Sequence, residues 1–95
     1  MLAPASRITA NDRVLLTEVG DGTGVLLHLD TKFYYALNAT GLHVWKTLGQ
    51  RSKTFSELTE AVFQTFEVDA ERAGEDVERL LSDLAAEKLL LVVPA

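Results

Sequence analysis

Three short apolar runs lie close together between residues 13 and 37, and the spacers between them are too short to hold anything but turns. Residues 13–19 (RVLLTEV) and 24–30 (GVLLHLD) are joined through a GDGTG link, whose glycines supply the positive φ that a hairpin loop requires. Asp30-Thr31-Lys32 then turns the chain into Phe33, Tyr34, Tyr35, Ala36 and Leu37, where the aromatic density favours a strand. A parallel crossover needs about a dozen residues or more, so the runs are expected to form a three-stranded antiparallel meander. Its last strand then lies at an edge, with one row of N–H and C=O groups lacking partners.

After Leu37 the apolar period lengthens to three and four residues. Asn38 caps a helix carrying Leu42, Val44, Trp45 and Leu48, and Gly49 stops it. Thr54-Phe55-Ser56-Glu57 has the form of a capping box, and Phe55, Leu58, Val62 and Phe66 continue it as one apolar stripe. Asp69 caps a third helix, on which Ala73, Val77, Leu80, Leu81 and Leu84 cover an arc of about 80–100°. Residues 89–93 (LLLVV) are either the last turn of that helix or a short closing strand, and Pro94 ends them. Residues 1–12 have no periodicity and are read as a flexible N-terminal segment before a domain spanning residues 13–95. The fold class expected is α+β: a winged helix-turn-helix, with a three-stranded antiparallel sheet followed by three helices.

Size and composition restrict what such a domain can do. A chain of 95 residues has one core and buries only about 60–65% of its unfolded surface, which leaves little volume for a deep catalytic cavity. No cysteine is present, so there is neither a disulfide framework nor a thiolate metal site, and a reducing, cytoplasmic location is the default expectation. The first residues lack the charged and apolar regions of a secretory signal, and no apolar run approaches the roughly 18 residues a membrane span needs.

The inventory of reactive groups is equally restrictive. The only histidines, His28 and His43, fall on a strand and a helix without the spacing of a metal site. Glu71, Glu75, Asp76 and Glu78 sit on the polar arc of an amphipathic helix, where a solvated face is the ordinary reading. The GDGTG link precedes a strand rather than a helix and is followed by no Lys-Ser/Thr, so it is a hairpin turn and not a phosphate loop. Catalytic residues, metal ligands and cofactor-binding residues are therefore all expected to be none.

A winged helix-turn-helix invites a nucleic-acid reading, which the charge opposes. Residues 1–51 carry five Lys/Arg against four acids, whereas residues 52–95 carry four against ten. From Asp69 to Lys88 there are seven acids and three bases, a net charge of −4. Phosphates would repel such a recognition helix. Neither nucleic acid nor membrane is expected as a partner.

The open edge remains. Alternation along Phe33–Leu37 sends Phe33, Tyr35 and Leu37 to one face and Tyr34 and Ala36 to the other. An edge of this kind can accept a peptide as an added strand, with main-chain bonds giving affinity and side-chain pockets giving specificity. Four bonds at about 1 kcal/mol each and two apolar anchors at about 2 each give roughly 8 kcal/mol, of which ordering the peptide consumes about 2–5. Tight binding thus requires a side-chain wall as well as the ladder. The competing reading is that Phe33 and Tyr35 are core and the chain's own termini cover the edge.

Residues 25–38 (VLLHLDTKFYYALN), 40–45 (TGLHVW), 54–58 (TFSEL) and 66–69 (FEVD), with Asp76-Val77, resemble the PqqD-like family over about residues 13–93. The most specific parts are Tyr35-x-Leu37-Asn38, the Gly41 and Trp45 that follow, and the late Asp-Val. The resemblance implies a recognition element for ribosomally synthesised, post-translationally modified peptides. Such a domain is non-catalytic and binds the leader of a precursor peptide on the third strand beside the third helix, then presents it to a maturation enzyme. By position, the added strand would pair along Phe33, Tyr34, Tyr35, Ala36 and Leu37, with Asp76, Val77, Arg79, Leu80, Asp83 and Leu84 providing or flanking the wall. The acidic third helix favours a bound segment that carries Lys or Arg. Where the family often has Pro-Glu before the third strand this chain has Asp30-Thr31-Lys32, and where it often has Gly before the final Leu-Leu this chain has Lys88. The resemblance is therefore stronger to stand-alone members serving lasso-peptide leader peptidases, with a radical SAM enzyme as the alternative partner, than to the protein that assists PQQ synthesis.

Overall fold

The computed structural model describes residues 2–49 and 51–94. The glycine-rich link does form a hairpin, between β2 (Val14–Glu18) and β3 (Gly24–His28), with Gly20 and Gly22 at φ 91° and 90°. The next turn leads to β4 (Tyr34–Leu37), and the sheet order β2-β3-β4 is the expected meander with β4 at an edge. Leu16 pairs with Leu26 and Leu26 with Tyr35, so these three side chains share the inner face of the sheet.

Helix α1 (Ala39–Leu48) follows directly, with the Asn38 side chain accepting the Gly41 N–H at 2.8 Å. Gly49, at φ 57°, ends the helix by donating its N–H to the Trp45 carbonyl. Helix α2 (Phe55–Thr65) begins with the complete capping box: the Thr54 hydroxyl accepts the Glu57 N–H at 3.1 Å, and the Glu57 carboxylate accepts the Thr54 N–H at 2.8 Å. Helix α3 (Ala70–Ala86) starts at Asp69, whose carboxylate accepts the Arg72 N–H at 2.7 Å. Its other end closes with Leu89 N–H donating to the Leu84 carbonyl and Lys88 N–H to the Ala85 carbonyl, the paired bonds of a Schellman stop. Lys88 sits at φ 60°. This is the conformation glycine adopts without steric cost, so the helix ends as a glycine would end it although lysine stands there.

One expectation is corrected. Regular structure begins at Arg7, because part of the segment read as a flexible N-terminal stretch is a strand, β1 (Arg7–Ala10). Its partners are remote in sequence: Ile8 pairs with Val92 of β6 (Leu90–Val93) and with Lys53 of β5 (Lys53–Thr54), giving a second sheet of order β5-β1-β6. A four-residue strand is too short to declare a period of its own, and what fixes it is the burial of Ile8, which is fully inaccessible. The apolar run at the C-terminal end is therefore a closing strand and not a last helical turn.

The core lies between the helices and both sheets. Leu26, Leu58, Leu81, Leu84 and Leu89 are buried to 1% exposure or less, each contributing on the order of 1.5–3 kcal/mol relative to an exposed position. No helix among the described residues is long and apolar enough to cross a membrane.

Candidate functional site

The backbone of β4 decides which of its groups are free. His28 donates its N–H to the Phe33 carbonyl at 2.9 Å, whereas Leu29 on the opposite phase donates to Arg13. Antiparallel bonding alternates along a strand. Tyr35 and Leu37 therefore bond to β3, and the N–H and C=O groups of Tyr34 and Ala36 point away from the sheet.

Beside this edge lies α3. Tyr35, Asn38 and Thr40 on one side and Asp76, Arg79, Leu80 and Asp83 on the other line a cleft of about 260 Å3. The Tyr35 hydroxyl donates across it to the Asp83 carboxylate at 3.4 Å. Burial, with the Asp83 charge adding to it, pushes this phenol above its ordinary pKa. Asp76 is paired along the helix with Arg72 at 3.4 Å, while Arg79 has no carboxylate within ion-pair distance among the described residues. The cleft thus offers a phenol floor, one aliphatic side chain at Leu80, and alternating carboxylate, guanidinium and carboxylate along one helical face.

Not every residue expected at the site is there. Tyr35, Asp76, Arg79, Leu80 and Asp83 come together, and Tyr34 and Ala36 contribute the exposed backbone row. Val77 and Leu84 are 0% and 1% exposed; they belong to the core and do not line the cleft. Leu37 is also buried, at 2%, and its backbone groups face β3, so neither its side chain nor its N–H and C=O lies on the open edge. Phe33 precedes the strand and is 37% exposed. The sequence reading missed Asn38 and Thr40. In the sequence Asn38 stands out as a helix cap and as part of the family resemblance, not as a cleft residue; the tight β4–α1 corner is what brings both residues into the cleft lining.

Both histidines have local partners. His43 stacks edge-on against Phe66 and meets the Thr65 hydroxyl at 3.0 Å, and His28 is buried among backbone groups. No cluster of three or more His, Asp or Glu able to hold a metal ion occurs among the described residues. The arrangement can align an extended chain.

Comparison with known proteins adds the decisive observation. The sequence profile of the family described as "Coenzyme PQQ synthesis protein D (PqqD)" matches residues 23–90. The chain belongs to the PqqD family. Among solved structures, TbiB1 in complex with the TbiA(beta) leader peptide is 32% identical, with a TM-score of 0.77 over 86% of this chain and 93% of that one. A lasso peptide synthetase B1 complexed with the leader peptide shares the fold at 21% identity, with a TM-score of 0.70 over 88% and 96% of the two chains. No curated protein matches. The PqqD-like fold here is the α+β winged arrangement expected from the sequence, with the second sheet added at its base.

Proposed function

We propose that this PqqD-family chain is a non-catalytic adaptor. It captures the leader of a ribosomally made precursor peptide as a strand added to β4 beside α3, and delivers it to a separate maturation enzyme. The observation that carries this reading is the open β4 edge facing a helix-walled cleft, in a chain 32% identical to a protein solved with a leader peptide bound. A leader peptidase of a lasso-peptide pathway is the favoured partner: both similar structures are complexes with a leader peptide, and one of them is a lasso peptide synthetase B1. A radical SAM enzyme is the alternative, favoured by the family's description in PQQ synthesis. Tethering the precursor raises its effective concentration at the enzyme, so the adaptor lowers the apparent KM without reacting.

The test is a titration of the full chain with a fluorescent TbiA(beta) leader peptide. Saturable binding is expected, weakened about 10- to 100-fold by Tyr34→Pro, which removes an outward donor, or by Leu80→Glu, which charges the wall. Glu18→Pro, at the opposite edge of the same sheet, should leave it unchanged. Absence of saturable binding, or equal losses from proline at either edge, overturns the proposal.

A further inference from the structure

His28 is 4% exposed and lies at the end of β3, where the chain turns toward the edge strand. Its Nδ1 faces the N–H groups of Asp30 at 3.1 Å and Thr31 at 3.4 Å. The same residue's carbonyl accepts the Lys32 N–H at 2.8 Å, and Lys32 is held at φ 65°. On the far side of the ring, Nε2 is 3.3 Å from the Asn11 amide nitrogen. That amide is fixed in orientation, because its nitrogen donates to the Lys88 carbonyl at 2.9 Å and its oxygen accepts the Arg13 N–H at 2.9 Å. Each of these three hydrogen-bonding neighbours of the ring is therefore a donor.

A neutral imidazole has one acceptor nitrogen. Two backbone N–H groups meet Nδ1, whereas Nε2 meets a single amide nitrogen, which gives one of its two hydrogens to the Lys88 carbonyl. The balance favours the tautomer that carries its proton on Nε2 and leaves Nδ1 free to accept. In that state the ring does what an Asn or Asp side chain does in an Asx-turn, accepting the N–H two residues on, and it holds the third residue's N–H as well.

We propose that His28 is a positioning residue for the peptide edge: through Nδ1 it fixes the 28–33 turn, and so sets where Tyr34 and Ala36 present their outward groups to α3. This rests on the reading that the leader adds to β4. The neighbouring register supports it, since Leu27 pairs directly with Tyr34 and any loosening of the turn reaches the first residue of the edge strand.

The chemistry selects the variants. Asn places its acceptor oxygen on the γ-carbon, where Nδ1 is attached in histidine, so His28→Asn should restore the turn. Gln places its acceptor one bond further out, near Nε2, and should not. In the peptide-free full chain, His28→Leu and His28→Gln are expected to speed amide exchange at Asp30, Thr31 and Tyr35 by about tenfold, with His28→Asn within about twofold of the unsubstituted chain. Affinity for the TbiA(beta) leader peptide should follow the same order. The ring's 15N spectrum in the unsubstituted chain should show an unprotonated Nδ1, an observation that does not depend on any variant folding. Rescue by Gln in place of Asn, indistinguishable Leu and Asn variants, or a protonated Nδ1 overturns the inference. Loss of peptide binding by the unsubstituted chain would remove the adaptor reading, while the exchange and ring spectra still decide what His28 does to the turn.

Discussion

The two sheets have the same number of strands and are built from opposite kinds of contact. In β2-β3-β4 consecutive strands pair through short turns, and β4 is left open on its outer side. In β5-β1-β6 a central strand from the N-terminal region joins segments from the middle and the far end of the chain, and its inward side chain Ile8 is sealed from solvent. The difference separates two duties. The remote sheet closes the core, whereas the local sheet leaves the outer side of β4 open beside the α3 cleft.

Substitutions should keep these duties apart. The largest effect is expected from Ile8→Ala, which leaves a cavity where the remote sheet meets the core and should cost about 3 kcal/mol of stability in a denaturant titration. Leader affinity measured well below the melting point should stay within about twofold if the sheets act independently. A matching loss of affinity would break the comparison. Tyr34→Pro should do the reverse, costing about 1.5–3 kcal/mol in peptide binding with little change in Tm, because edge strands tolerate proline where the N–H faces outward.

Smaller effects sharpen the picture. Thr54→Ala, which removes the α2 cap beside β5, should cost about 1 kcal/mol, or roughly 4–8 °C in Tm for a domain of this size. Lys88→Gly should raise Tm, since it relieves a left-handed conformation worth about 1 kcal/mol at the junction of α3 and β6. The Glu57 carboxyl is held below its ordinary pKa by the Thr54 backbone N–H and hydroxyl. Its contribution is therefore present above the unfolded glutamate value and is lost as pH falls through the lowered folded value. The Tm difference between the wild type and Glu57→Gln should shrink as pH is taken from about 6 to about 3; a difference that grows on acidification would contradict the capping box.

Much of the fold was legible because its signals are local. Asn38, Thr54 and Asp69 each cap the helix expected of them, since a cap needs only a side-chain oxygen and the amides of the next turn. The apolar arc of the third helix was also legible, but its edge was not. Val77 and Leu84 turned out to be core while Leu80 reaches the cleft. A helical wheel gives the width of an apolar face and not the rotation at which neighbouring elements stop covering it.

The sequence by itself determined the meander, the three capped helices and the acidic charge of the last, because turn chemistry, capping and periodicity act over a few residues. Only the tertiary structure decided that residues 7–10 form a central strand, that Asn38 and Thr40 meet α3, and which side chains of α3 remain open to a guest. Those outcomes depend on pairing and packing between segments far apart along the chain, whose energies appear in no local pattern.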